Sequence, residues 1–313
     1  MSVLTRDRQA LGAPSVPPAR VKVSKRRNQK AGYLFLLPWF LGMLFTIIPF
    51  LASLYLAFTD YNLLNPPEWV GLANFQEMMG DPRLWKSLEV TFVYTFVSVP
   101  ISLAAALAVA LLLNNGIRGL SIYRSVYYLP SLLGGSVAIV MLWRYIFGNE
   151  GVVNKFLGLF GITGPGWVSD PTYSLSTLIV LNVWTFGAPM VIFLAGLRQV
   201  PAMYYEAASI DGAGRWRQFR SITVPMISPI IFFNLIMQLI GSFQTFTQGY
   251  VMSGGTGGPA DSTLFYNLYL YQKGFTEFDM GYASAMAWLL LMIIAIFTAV
   301  NFIASKYWVF YDN

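Results

Sequence analysis

Residues 206–225 read EAASIDGAGRWRQFRSITVP, a polar and basic stretch between two long apolar runs. It has the form of a loop that leaves and re-enters a membrane: a short helix, a glycine break, and a return to apolar sequence. Pro201 fits the first helical position, where its missing N–H would be unpaired anyway, and the helix runs to about Asp211. Met203, Ala207 and Ile210 fall at i, i+4 and i+7 and form one apolar stripe, with Glu206 at its edge. Gly212 and Gly214 stop the helix and allow a change of direction. Trp216, Phe219 and Ile222 make a second apolar face among Arg215, Arg217 and Arg220. The residues alone leave two readings open: an amphipathic helix on lipid headgroups, or a helix that docks on a partner.

Outward from this loop, charge is scarce. Only 11% of the 313 residues are charged and 56% are hydrophobic, against about 25% charged in soluble domains. Residues 31–59, 90–117, 125–143, 171–197, 221–260 and 280–305 carry no charge at all. A helix needs about 20 apolar residues to cross a hydrocarbon core of ~30 Å. With no water there, its backbone must satisfy itself, so these stretches are helices. The expected spans are 33–58, 90–113, 124–147, 174–197, 228–251 and 282–305. They lie in one membrane domain, 33–308, with a loop at 198–227, a basic and largely disordered tail at 1–32 and a short tail at 309–313. Alternating ten-residue segments of the β-barrel kind are absent.

Lys and Arg set the orientation. The N-terminal tail, the second-to-third connection (Arg118, Arg124), the loop with Arg198, Arg215, Arg217 and Arg220, and Lys306 fall on one side. The other side holds Arg83, Lys86, Arg144, Lys155 and Lys273. The positive-inside rule then puts both termini in the cytoplasm. The net charge of +6 is mostly this bias and is no sign of nucleic acid. With no Cys and no His, disulfide, thiolate and imidazole chemistry and His-bound metal are excluded. No Lys follows a Gly, so the sequence has no phosphate-binding P-loop. The Gly254–Pro259 stretch, GGTGGP, reads as a flexible turn before a short segment at 263–275.

Polar residues inside spans mark a path or a packing hydrogen bond. The fourth span has Asn182, Trp184 and Gly187. The fifth has Asn234, Gln238, Ser242, Gln244, Thr245 and Gln248, of which Gln238, Ser242 and Thr245 recur on one helix face. Uncharged amides and hydroxyls suit a sugar and do not suit a proton or ion path. Hydrogen bonding to a neighbouring membrane subunit is the other reading of the same residues.

Glu206, Ala207, Ala208, Gly212, Ile222 and Pro225 stand at the spacings of the EAA motif of ABC importer permeases, with Val224 where the motif has Leu. Residues 38–63, 69–75, 127–130 and 269–288 are similar to the carbohydrate-uptake branch, most of all to the first of its two permeases, the maltose- or glycerol-3-phosphate-type subunit. This resemblance implies the six-span type I importer permease fold, all-α, in the bacterial inner membrane. It implies that Met203, Glu206, Ala207, Ala208, Ile210, Asp211 and Gly212 form a coupling helix for an ATPase dimer. It implies a substrate pocket at Asn182, Gly187, Gln238 and Ser242, the last two differing in residue type from the maltose-type permease, and the polar stripe adds Thr245 to that pocket. ATP and Mg would belong to the ATPase subunits, and this chain would be non-catalytic. The further partners would be a second homologous permease, an extracytoplasmic solute-binding protein, a sugar or oligosaccharide, and lipid. A stand-alone secondary transporter is the alternative, and it would call for inverted repeats or buried ionisable residues, neither of which is evident.

Overall fold

The structure is a computed structural model that describes residues 29–114, 116 and 119–310. Most of the 1–32 tail, Arg118 and the last residues of the 309–313 tail lie outside these. The chain divides into two compact units, Met1–Phe50 and Leu51–Asn313. The described part of the first is the start of α1 (Gln29–Leu56), whose 24-residue stretch Tyr33–Leu56 is apolar enough to cross a membrane.

The second unit begins with the end of α1. A ribbon of β1 (Thr59–Asp60) and β2 (Glu68–Trp69) follows, antiparallel, with Thr59 opposite Trp69 and Asp60 opposite Glu68. Then come α2 (Ala73–Gly80), α3 (Pro82–Leu113), α4 (Leu120–Leu133), α5 (Val137–Ile146), α6 (Val152–Gly158), α7 (Pro171–Trp184) and α8 (Gly187–Leu197). The loop helix is α9 (Ala202–Ile210). A continuous helical run follows: α10 (Arg215–Gln218), a wide π turn at Phe219–Thr223, and α11 (Val224–Met226). The last elements are α12 (Ser228–Phe243), α13 (Thr247–Ser253), α14 (Tyr266–Tyr271) with a π turn at Gln272–Thr276, and α15 (Met280–Trp308).

α3 is the post around which α7, α8, α12 and α14 pack. Its buried positions Ser87, Thr91, Thr95, Ser98, Ser102, Ala106 and Ala110 are small, which lets neighbouring helices approach closely where there is no hydrophobic drive to hold them. Thr91 Oγ1 accepts from the Tyr266 N–H at 2.9 Å, and Ser102 Oγ accepts from Gln238 Nε2 at 3.3 Å. α3 starts at Pro82 and not at 90, because Asp81 caps it: its Oδ1 accepts from the N–H groups of Arg83 (2.9 Å) and Leu84 (3.3 Å), with proline at N1. α7 starts the same way at Asp170–Pro171 and not at 174.

Among the described residues, five helical stretches are long and apolar enough to cross a membrane, and six if α4 and α5 count as one. The stretch expected as a span at 124–147 is sharply bent: α4 and α5 meet at 98°. Pro130 lacks a helical N–H, Gly134 and Gly135 follow, and Ser136 caps a new helix through Oγ and the Ile139 N–H. The fourth and fifth spans are broken too, at Thr185–Phe186 and at Gln244–Phe246. The glycine-rich stretch after α13, read above as a flexible turn, is held by hydrogen bonds. Ser253 Oγ accepts from the Gly257 N–H (2.9 Å), and Thr263 Oγ1 donates to the carbonyls of Gly257 (3.1 Å) and Gly258 (2.9 Å).

Asp81 joins three helices. Its Oδ2 accepts from the hydroxyls of Tyr269 (2.5 Å) and Tyr282 (2.7 Å), on α14 and α15. Beside it, Arg83 pairs in a two-pronged fashion with Asp261 at 3.1 Å, and Lys273 lies over the Tyr269 and Tyr282 rings. Burial raises the Asp81 carboxyl, but the bonds from Tyr269, Tyr282 and the two backbone amides outweigh it and hold it below its usual range. A depressed carboxylate adds stability that is present above its unfolded value, about 3.9, and is lost as pH falls through the lower folded value. Asp81→Ala removes a cap (about 1 kcal/mol) and leaves two phenols short of a partner (about 1–3 kcal/mol each). We expect an apparent thermal midpoint several degrees lower in detergent at pH 7, with the gap to wild type closing below pH 4.

Candidate functional site

The three helix breaks converge. A cavity of about 420 Å³ is lined by Tyr94 of α3, Ser131 of α4, Asn182, Thr185 and Ile192 of the fourth span, and Phe233, Asn234, Gln238, Ser242, Thr245 and Gln248 of the fifth. A smaller space next to it reaches Gly134 and Gly135 at the α4–α5 break. No charged side chain lines either cavity. Asn182 Nδ2 is buried beside the cavity and has no hydrogen-bond partner, an arrangement that costs free energy until a partner reaches it. Gln238 holds Ser102 with its amide nitrogen and retains its carbonyl oxygen. Asn234 spends its nitrogen on the Ile230 carbonyl at 3.0 Å.

Of the residues expected in a pocket, Asn182, Gln238, Ser242 and Thr245 come together here, on two different spans. Gly187 does not line the cavity. It is buried where α8 presses on α4, and a Cβ there would run into the Tyr127 carbonyl and the Tyr128 backbone; its small size serves packing. Tyr94, Ser131 and Thr185 were not legible as lining residues, because nothing local brings α3 and α4 beside α7 and α12. Gln248 stood in the polar list, and the break at Gln244–Phe246 turns it inward. A second cavity of about 350 Å³, lined by Arg124, Ser125 and Tyr128 of α4 with Ala188, Val191 and Ile192 of α8, shares Ala188 and Ile192 with the first. The open space thus continues towards the end of α4 where the chain enters it.

The loop forms a second, separate surface. Pro201 is the residue before α9, not its first helical residue. The C-terminus of α9 is a Schellman motif: the Ala213 N–H donates to the Ala208 carbonyl (2.8 Å) and the Gly212 N–H to the Ser209 carbonyl (3.1 Å), with Gly212 at φ +75°. That left-handed conformation favours glycine. Gly214 has ordinary extended backbone, and a side chain there would meet open space, so only Gly212 is required by the turn. Residues that motif reading passed over latch the loop. Gln218 Nε2 donates to Ser209 Oγ (2.9 Å) and to the Ala213 carbonyl (3.0 Å), and the Tyr205 and Thr223 hydroxyls share a bond of 2.9 Å.

On this latched base, Met203, Ala207 and Ile210 all face out, Met203 at 66% and Ile210 at 87% exposure. Glu206 and Asp211 are exposed beside them, and among the described residues neither carboxylate makes an ion pair. Ala208 is partly covered by the loop. The helix therefore turns its apolar stripe and its free carboxylates away from the rest of its own unit.

The sequence signature described as "Binding-protein-dependent transport system inner membrane component" matches residues 78–307. The chain belongs to that family. Among its relatives, the probable ABC transporter permease protein YesP of Bacillus subtilis is 52% identical over 93% of this chain and 95% of that protein. The lactose transport system permease protein LacF of Rhizobium radiobacter is 34% identical over 90% and 96%. In three dimensions the permease resembles a chain of a bacterial ABC transporter that imports the acidic polysaccharide alginate, with a TM-score of 0.74 over 89% of this chain and 96% of that one at 21% identity. The permease has the type I ABC importer fold, and the matched region holds both the cavity and α9.

Gly212→Ala forces an L-residue into left-handed backbone at about 1–2 kcal/mol, which corresponds to roughly 5- to 30-fold more local opening. Limited trypsin digestion at Arg215 and Arg217 should accelerate by that factor in Gly212→Ala and stay at the wild-type rate in Gly214→Ala.

Proposed function

We propose that this permease is one membrane half of an ATP-driven importer of a sugar or oligosaccharide, and that α9 is the part through which an ATPase subunit drives it. The observation that carries this reading is the outward apolar stripe Met203–Ala207–Ile210 with unpaired Glu206 beside it. Large apolar groups held in water on a hydrogen-bonded base mark a contact surface. Glu206 would meet a basic residue of the ATPase, Ala207 and Ala208 would admit close approach, and Asp211 with Gly212 would shape the end of the contact. ATP and Mg would be bound by that partner, since this sequence offers no P-loop.

The chain supplies a direct mechanical route. α8 runs from the cavity at Ala188 down to Leu197, four residues short of α9, and the helical run after Gly214 climbs back to Gln238 and Ser242. Movement of α9 would be passed to both cavity walls as rigid-body motion, the basis of alternating access between repeats or subunits. The cavity has the size of small-ligand sites, about 300–1,000 Å³. Its free Asn182 amide and the Gln238, Ser242 and Thr245 groups suit sugar hydroxyls. The lactose permease among the relatives and the fit of uncharged polar groups together favour a saccharide. A second permease would complete the pathway, an extracytoplasmic binding protein would deliver the substrate, and the α9 side, with both termini, would be cytoplasmic. Membership of the binding-protein-dependent family supports this reading over the secondary-transporter alternative.

The test is a mild-detergent pull-down through this chain with an ATPase assay on the eluate. Recovery of an ATPase and a second permease, with activity raised by a sugar-loaded binding protein, is the expected result. A chain that emerges alone and transports in liposomes without ATP would overturn it. Glu206→Lys should leave membrane insertion intact and abolish stimulated ATPase activity and uptake, whereas normal uptake would remove the docking role. Asn182→Ala and Gln238→Ala should each raise the KM for uptake by about tenfold, the worth of about one hydrogen bond, with complex yield unchanged. Equal loss of yield and uptake would make them packing residues.

A further inference from the structure

We infer that α6 and the two residues after it are a membrane-surface anchor, lying in the headgroup–acyl boundary on the face opposite the α9 loop. The α7–α8 span separates the two loops, since one precedes Pro171 and the other follows Leu197. Val152, Phe156, Leu159 and Phe160 fall at i, i+4, i+7 and i+8 and form one helical face. All four point outward, Leu159 at 80% and Phe160 at 67% exposure, and the Phe156 and Phe160 rings pack edge to face at 5.3 Å.

The opposite face is fixed to the loop. Asn154 Nδ2 donates to the carbonyls of Asn149 (3.0 Å) and Pro165 (3.2 Å), and its Oδ1 accepts from Trp167 Nε1 at 2.7 Å. Gly164 lies so close to Asn154 that a Cβ there would clash. Gly151 turns the chain so tightly after α5 that a side chain would strike the Tyr145 and Ile146 carbonyls. A short helix with few hydrogen bonds of its own is thus held rigidly with its apolar side out.

The occupant is argued from what adjoins that side. α6 begins one tight turn beyond the end of α5, whose Met141, Leu142 and Tyr145 are also exposed. The loop then returns to Pro171 at the start of the next span, so both of its ends are pinned to span ends. Between Gly151 and Gly164 the only charge is Lys155, at the edge of the apolar face, where its ammonium can reach headgroup phosphate while its stem stays in the apolar layer. Phenylalanine and leucine on one face with a lysine at the rim is the pattern of a helix in the interface plane. A binding protein that comes and goes would leave this face uncovered between visits, whereas the bilayer next to the adjoining span ends covers it at all times.

Because the sequence contains no cysteine, one introduced cysteine carries a nitroxide at a known place. We would label Leu159→Cys and Lys155→Cys, both exposed positions, in the permease complex assembled with cysteine-free partners in liposomes. Collision with oxygen, which concentrates in the bilayer, would be compared with collision with a nickel chelate confined to water. The label at 159 should collide at least about fivefold more with oxygen than with nickel, and the label at 155 should shift towards nickel. Three outcomes would overturn the anchor: free nickel access at 159, shielding at 159 from both agents, or immobilisation at 159 only after a binding protein is added.

Discussion

Amide and carbonyl groups freed by a break in a helix find no partner in hydrocarbon, so non-helical backbone at membrane depth survives only against protein or a polar cavity. Three helical stretches of the Leu51–Asn313 unit are broken, between α4 and α5, α7 and α8, and α12 and α13. Each break contributes to the same space: Ser131, Gly134 and Gly135 from the first, Asn182 and Thr185 from the second, Ser242, Thr245 and Gln248 from the third. The polar character of the cavity follows from this constraint as much as from its side chains. Moving any one break out of register would take its backbone away from the polar cavity and leave it facing lipid.

The breaks are held in place by a frame that does not itself break. α3 runs from Pro82 to Leu113 without interruption, and its buried hydroxyls offer the neighbouring helices close approach and a few hydrogen bonds. Asp81, at its foot, takes hydrogen bonds from α14 and α15 as well as from its own helix. One carboxylate thereby fixes where α3 starts and where α14 and α15 meet it. Opposite this end, the latched α9 loop stands between the two broken spans. The molecule is thus rigid along α3 and segmented around the cavity.

The sequence made the apolar stretches visible because charge is absent from them, and it made α9 visible because Pro201 and Gly212 bracket a helical period. The helices α3 and α7 begin ahead of the apolar windows that mark the spans. The Asp–Pro pairs at 81–82 and 170–171 are start signals written in plain residues, yet their polar surroundings put them outside the apolar windows. The breaks were hidden for a different reason. Hydropathy registers composition and not backbone path, so Gly134-Gly135-Ser136 and Gln244-Thr245-Phe246 passed as the interiors of continuous spans. Tyr94 could not be found at all from sequence, since a fully buried tyrosine on α3 meets the cavity only through packing with distant helices.

Gly134 and Thr185 show what such packing implies for variation. A Cβ on Gly134 would occupy the place of the Thr185 side-chain methyl, so the breaks in two different spans touch through one residue that has no side chain and one that fills the gap. The volume available to these two positions is shared. A larger residue at 134 calls for a smaller one at 185: the first change alone would push two spans apart, and the second alone would leave a void between them. Positions 134 and 185, far apart in the chain, are thus under one steric constraint.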